Sequence, residues 1–387
     1  MLVKRLNHFL ESIIKDGPAG VALSVIKDNR LLYENYFGYA DIDTKTKIEK
    51  DTIYRIYSMT KIVTCVAALQ LVEEGKILLN DPLSDYLPEF KEMSVDIGGN
   101  RDSLNVIKAT QPIRIKDLFK MTSGLTYGGN QTEVERLTSK AMEEVRNLSG
   151  DLHTTKLRIF SRKIAEIPLA FEPGTDWRYG ISHDILGALI EVVSGMTFSE
   201  YLQKNIFDQL GMHDTHFQLP EEKKERLATL YNMNEQGHLI KNTVIDHASE
   251  PVPLFESGGA GLHSTLGDYQ KFAQCLAQNG TLDGKTILNK HTIQLMAQNH
   301  LHPSLFHQLG WNDDNGYGYG LGVKVMIDQV KGGSISNIGE FGWSGLAGTY
   351  CLIDPKTNLS IVYMQQMFPH NETIYQPRIR NIVYGSL

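Results

Sequence analysis

The chain opens with apolar positions at Leu2, Leu6, Phe9, Leu10 and Ile13, set among polar residues at helical spacing. That spacing predicts an amphipathic helix laid on its own domain. Beyond it, Gly20–Ile26 and Leu31–Phe37 are two strand-like runs around the short polar turn Lys27–Arg30, which predicts an antiparallel hairpin. The arrangement returns near the other end, where Gly348–Ile353 and Leu359–Met364 flank Asp354–Asn358, with a further strand expected over Gly320–Met326. In between, segments near 62–75, 115–121, 183–194, 198–210, 266–278 and 291–298 carry helical periodicity. Asp81-Pro82 reads as an N-cap followed by a first-turn proline, Thr197 with Glu200 as a capping box, and Gly195 and Gly280 as helix stops. Residues 88–160 show no firm pattern.

Strands at both ends with helices between them predict an α+β fold, an antiparallel sheet flanked by helices with an inserted helical domain. The expected boundaries are 1–80 with 240–387 for the sheet domain and 81–239 for the helical insert. A site would lie in the cleft between them.

Composition narrows the class. With 41% hydrophobic and 21% charged residues in 387, the chain has the balance of a globular protein and not of a disordered one. A net charge of −7 argues against a nucleic-acid surface. Cys65, Cys275 and Cys351 are odd in number and far apart, so they build no disulfide framework and read as free thiols of a reducing compartment. Early cations at Lys4 and Arg5 suggest an export signal, but Asn7, His8, Glu11 and Ser12 interrupt the apolar core of about 7–15 residues that a signal needs. No apolar stretch approaches the roughly 20 residues that span a bilayer. The expectation is a soluble, cytoplasmic protein without a membrane or nucleic-acid partner, its oligomeric state left open.

Several chemistries fail on spacing. Thirteen histidines supply no HExxH or paired ligand spacing, so no metal and no cofactor is expected. The series Gly316, Gly318, Gly320, Gly322 does not complete a dinucleotide fingerprint. Gly342–Leu346 lacks the final glycine of a GxSxG elbow.

What remains is Ser-x-x-Lys, present twice, as Ser12–Lys15 and Ser58–Lys61. Ser12 lies within a continuous helical pattern. Ser58 follows the extended-looking Ile53–Tyr57 and precedes an apolar helix ending at Gly75, which puts it at a helix N-terminus with Lys61 one turn on along the same face. Backbone N–H groups there favour developing negative charge. Burial of Lys61 would weaken its hold on its proton, as a base beside a serine requires. The same two residues fit an N-cap serine and a snorkelling lysine equally well.

The ordered set Ser58-Met-Thr-Lys61, Met121–Leu125, Phe171–Gly174 running into Tyr179, Ser257–Leu262 and Gly342–Gly345 resembles the serine β-lactamase and penicillin-binding protein superfamily. Within it the chain is most similar to the class C β-lactamase-like, or family VIII, carboxylesterases, over roughly residues 10–380. The resemblance implies Ser58 as acylating serine, Lys61 as its partner, and Tyr179 as the group that activates the nucleophile and protonates the leaving group. Standing alone, Tyr179 reads as an aromatic at a domain seam. The resemblance further implies an oxyanion hole from the backbone N–H groups of Ser58 and Leu346, and Trp343, Ser344 and Gly345 in place of the lactamase Lys-Thr-Gly strand. Ile181 stands where class C lactamases place an asparagine and Trp343 where they place a lysine, so these two are expected to shape substrate recognition. The implied function is a serine hydrolase cleaving small carboxylic esters. The alternatives are a β-lactamase or D-amino-acid peptidase, and a non-catalytic relative that binds a peptide or partner.

Overall fold

The computed structural model describes residues 1–243, 254–309 and 316–387. Its centre is an eight-stranded antiparallel sheet built from residues near both ends of the chain. Strands β1 (Gly20–Lys27), β2 (Arg30–Asp41), β3 (Thr46–Lys47), β4 (Tyr317–Tyr319), β5 (Lys324–Met326), β6 (Phe341–Ser344), β7 (Tyr350–Asp354) and β8 (Leu359–Met364) lie in the order β4-β5-β6-β7-β8-β1-β2-β3. The first hairpin turns through Asp28 and Asn29, both at positive φ (49° and 61°), as a two-residue turn matched to strand twist requires.

Both faces of the sheet are covered, which is why β1 and β8 are almost wholly apolar and buried. On one face Val21, Leu23 and Val25 pack with Leu6 and Leu10 of helix α1 (Leu2–Ile13) and with Ile379 and Val383 of the C-terminal helix. On the other face Ala22, Val362 and Met364 meet the main core. That core contains α2 (Thr60–Glu73), α3 (Ser182–Ser194) and α4 (Leu266–Ala277); the C-terminal helix, Glu372–Tyr384, is α5. Among the described residues the regular structure between α2 and α4 is mainly helical, including Glu133–Arg146 and Lys156–Ala165. Among the described residues no single helix is long and apolar enough to cross a membrane.

Most predicted elements stand, and the differences have local causes. Thr197 and Glu200 form the expected capping box, and Gly195 ends α3 in the left-handed region at φ 72°. The segment 198–210 is helical throughout, with one turn, Gln203–Phe207, widened to π geometry. Asp81-Pro82 opens only a 3₁₀ turn, Leu83–Asp85, because the Asp81 carboxylate turns back to accept from Leu78 N and Tyr86 Oη. The strand expected over Gly320–Met326 is a hairpin. Its first half, residues 320–323, is the turn joining β4 to β5.

Candidate active site

Residues 53–55 run as a short strand paired antiparallel with residues 263–265, and this pairing delivers the chain to Ser58. Tyr57, immediately before the serine, is buried and held at φ +43°, a region that non-glycine residues avoid. Ser58 sits in the 3₁₀ turn Tyr57–Met59, and α2 begins at Thr60, so Lys61 falls on the first turn of an apolar, buried helix. Its side chain is fully buried.

Burying an ammonium demands acceptors, and Lys61 has three. Its Nζ donates to Gly259 O at 2.6 Å, Tyr127 Oη at 2.9 Å and Ser58 Oγ at 3.3 Å. The Gly259 carbonyl is placed by a second set of bonds. Thr64 Oγ1 donates to Gly258 O, Leu262 N donates to Thr60 Oγ1, and Asp184 of α3 accepts from Ser257 Oγ at 2.6 Å and Gly259 N at 3.3 Å. The glycine-rich run Ser257–Leu262 is thereby wired onto α2. A Cβ on Gly259 would stand 3.1 Å from Asp184 Oδ2, 3.3 Å from Tyr127 Oη and 3.5 Å from Lys61 Nζ, a measure of how closely these groups converge.

The charge of Lys61 departs from the expectation drawn from burial. Burial does work against the ammonium, but the Tyr127 and Tyr179 hydroxyls beside it outweigh burial and hold the amine above the ordinary lysine range. The balance at Lys61 thus favours the charged ammonium. Burial pushes the Tyr127 hydroxyl upward against the pull of Lys61, and burial likewise pushes the Asp184 carboxyl up.

Tyr179 joins this group through an aromatic cluster. Its ring lies 4.6 Å from Lys61 Nζ, packs edge-on to Tyr127 at 5.5 Å, and stacks on Trp343 at 5.6 Å. Trp343 Nε1 donates to Tyr179 Oη at 3.1 Å, joining β6 to the loop before α3. That loop is held by the Met121–Leu125 segment. Arg178 N donates to Met121 O at 3.0 Å, with Met121 at φ +60°, and the Ser123 and Ser182 hydroxyls meet at 2.9 Å. Gly345 is required by close approach, since a Cβ there would lie 2.2 Å from Thr349 Oγ1 and 2.4 Å from Ile56 O.

These residues border a cavity of about 470 Å³. Ser58, Trp177, Arg178 and Tyr179 line it with Gln308 and Leu309; Trp343, Ser344, Gly345 and Leu346 line the sheet side with His370 and Glu372. The structure thus brings together Ser58, Lys61, Tyr179, Trp343, Ser344, Gly345 and Leu346. Ile181 is the exception. It caps α3 from within the core, 1% exposed, and is not among the residues that line the cavity. The apolar residue there is spent on packing.

Sequence reasoning missed Tyr127. Its signal was its place two residues beyond Leu125 in a segment already singled out, but nothing in the local pattern distinguishes it from a core aromatic. His370 and Glu372 were missed because they precede and begin a helix that the periodicity did not reveal. Among the described residues no three His, Cys, Asp or Glu side chains gather as a metal site would need.

A buried lysine beside a serine at a helix start, under a cleft between a helical segment and an antiparallel sheet, defines the serine hydrolases of the β-lactamase and transpeptidase fold. A model of the Beta-lactamase family matches residues 10–382, and the chain belongs to that family. Protein Rv1367c of Mycobacterium tuberculosis is 32% identical over 358 residues, 91% of this chain and 86% of that one. Esterase EstB of Burkholderia gladioli is 24% identical over 386 residues, 94% of this chain and 90% of EstB. The solved structure of EstCE1, a hydrolase with promiscuous acyltransferase activity, superposes with a TM-score of 0.81 at 25% identity, covering 99% of this chain and 98% of the other.

Proposed function

We propose that this protein hydrolyses small carboxylic esters through an acyl-enzyme formed on Ser58. The observation that carries the reading is the convergence of Ser58 Oγ, Tyr127 Oη and Gly259 O on the buried Lys61 ammonium, at a cavity wide enough for a small ester. In the proposed cycle Ser58 Oγ attacks the ester carbonyl as its proton passes to the Tyr179 oxygen, which acts as a phenolate whose negative charge the Lys61 ammonium balances. The tetrahedral oxyanion accepts from the backbone N–H groups of Ser58 and Leu346. Its collapse breaks the bond to the alkoxide, which takes the proton from Tyr179 and leaves as the alcohol. Water then attacks the acyl-enzyme by the same route, releasing the acid and restoring Ser58. Tyr127 and Gly259 act through Lys61, holding its Nζ in place.

The relatives support the ester over the lactam. EstB is named an esterase and EstCE1 a hydrolase with acyl-transfer activity. With Ile181 withdrawn into the core, Trp343 bears on recognition, offering an indole where the resemblance implies an ammonium for a substrate carboxylate. Leaving one such partner unmet costs about 1–3 kcal/mol, or roughly tenfold per 1.4 kcal/mol in rate. The test compares kcat/KM for p-nitrophenyl butyrate and nitrocefin on one preparation. An ester preference of tenfold or more is expected at matched leaving-group reactivity; a preference for nitrocefin would overturn the reading. A fluorophosphonate adduct mapped to Ser58 supports the nucleophile, and an adduct elsewhere refutes it.

A further inference from the structure

The cavity is charged unevenly from wall to wall. On the helical side Arg178 lines it, and among the described residues no acid pairs with that guanidinium. On the sheet side stands Glu372, the first residue of α5, with His370 just before it. An acid in the first turn of a helix is ordinarily accounted for by the helix dipole. That account leaves open why Glu372 faces the cavity and why a cavity-lining residue turns toward it: Ser344 Oγ donates to its Oε2 at 2.7 Å.

Three other side chains stand near this carboxylate. Gln376 Nε2 approaches the same oxygen at 3.5 Å, and His370 Nδ1 lies 3.9 Å away while accepting from Glu372 N. Lys324 of β5 lies half-buried nearby, where Glu372 and Glu340 pull on its ammonium while burial pushes its amine below the ordinary lysine range. The side chain of Glu372 is 36% exposed, so an ammonium in the cavity can reach it without being fully stripped of water.

We infer that Glu372 makes the sheet-side end of the cavity a subsite for a cationic group, an ammonium carried by the substrate, and that it turns away substrates with a carboxylate at that end. Arg178 repels a cation on the opposite wall, which fixes the direction in which such a substrate lies. The inference deepens the ester reading and rests on it only in calling the bound group part of a substrate.

The test needs no turnover. Trp177 and Trp343 line the cavity and report binding by fluorescence, so the full chain is titrated at fixed low ionic strength with benzyltrimethylammonium and, separately, with phenylacetate. The ammonium is expected to bind tighter than the carboxylate. Glu372→Gln should narrow that ratio by about fivefold, the scale of one charge pair at 4 Å in a watery setting, and 0.5 M salt should narrow it in the wild type as well. Ser344→Ala is the second variant. It removes a hydroxyl donor and keeps the charge, so the ammonium preference should persist or rise. A ratio that favours phenylacetate, or that stays within twofold after Glu372→Gln, overturns the inference, as does loss of the preference in Ser344→Ala. Charge-selective binding without hydrolysis of p-nitrophenyl butyrate would defeat the ester reading alone, and hydrolysis with an indifferent ratio would defeat the subsite alone.

Discussion

Ser12 stands exposed in the last turn of α1 with Lys15 just past it; Ser58 and Lys61, at the same spacing, stand beneath a cavity. The first pair does little. Ser12 Oγ donates to Phe9 O at 2.6 Å, satisfying itself within its own helix, and α1 stops at Ile13, so Lys15 lies beyond the helix altogether. Both side chains belong to exposed residues. In the second pair the lysine is fully buried, and its nitrogen is bonded to a carbonyl, a phenol and the serine. The spacing is common to both. What separates them is the removal of water from one amine and the ring of acceptors that makes its burial tolerable.

The sharpest way to break this comparison is to exchange the serines for alanine. Ser58→Ala should lower kcat for p-nitrophenyl butyrate by at least about a thousandfold, the scale on which nucleophiles of this kind are lost. Ser12→Ala should leave the rate within twofold, and equal losses in the two variants would dissolve the distinction. Next in size come the partners of the proton path. Lys61→Ala and Tyr179→Phe are each expected to cost about a hundredfold or more in kcat. Their double variant should be little worse than either alone, since groups sharing one path are not additive. Near-additive losses would mean that the two act independently, and Lys15→Ala should show no loss.

A smaller effect sharpens the comparison. Tyr127→Phe removes one of three acceptors from a buried ammonium, worth about 1.5–3 kcal/mol for a bond to a charged group. Gly259 O and Ser58 Oγ remain, so about a tenfold fall in kcat is expected, and the basic limb of the pH–rate profile should move to lower pH as Lys61 loses its proton more easily. A fall in rate with an unmoved profile would assign Tyr127 to packing. The smallest effect is on stability. Ser12→Ala exchanges one exposed helical hydroxyl for a better helix former and should shift the unfolding free energy by no more than about 0.5 kcal/mol, read by urea denaturation. A larger loss would give Ser12 a structural role that its one local bond does not suggest.

Legibility in the sequence followed the strength of each local signal. The hairpins at 20–41 and 350–364 were readable because their runs are apolar and their turns polar. Glu133–Arg146 was not, since its buried positions Val134, Thr138, Ala141 and Val145 include two residues that are weak markers of a core. Helix α5 was hidden by Pro377 in its interior, which reads as a break. Missing α5 also hid Glu372, and with it the charge on the sheet-side wall. Around the site, the positions of Ser58 and Lys61 followed from an extended run, a turn and an apolar helix in succession. The burial of Ile181 was not legible, because a position borrowed from related sequences carries no statement about which way a side chain faces.

By itself the sequence determined the elements whose hydrophobic period is regular, the capping of Thr197 by Glu200, and the placing of a serine and a lysine one helical turn apart. These are consequences of residues within a few positions of one another, where backbone geometry leaves few choices. The tertiary structure decided everything about Lys61 that matters for chemistry. Gly259 lies 198 residues away along the chain and Tyr127 lies 66 away, and the fold closes both onto the amine. Periodicity can announce that a lysine will be buried. Whether burial strips its proton or secures it depends on the acceptors brought to meet it, and those arrive from elsewhere in the chain.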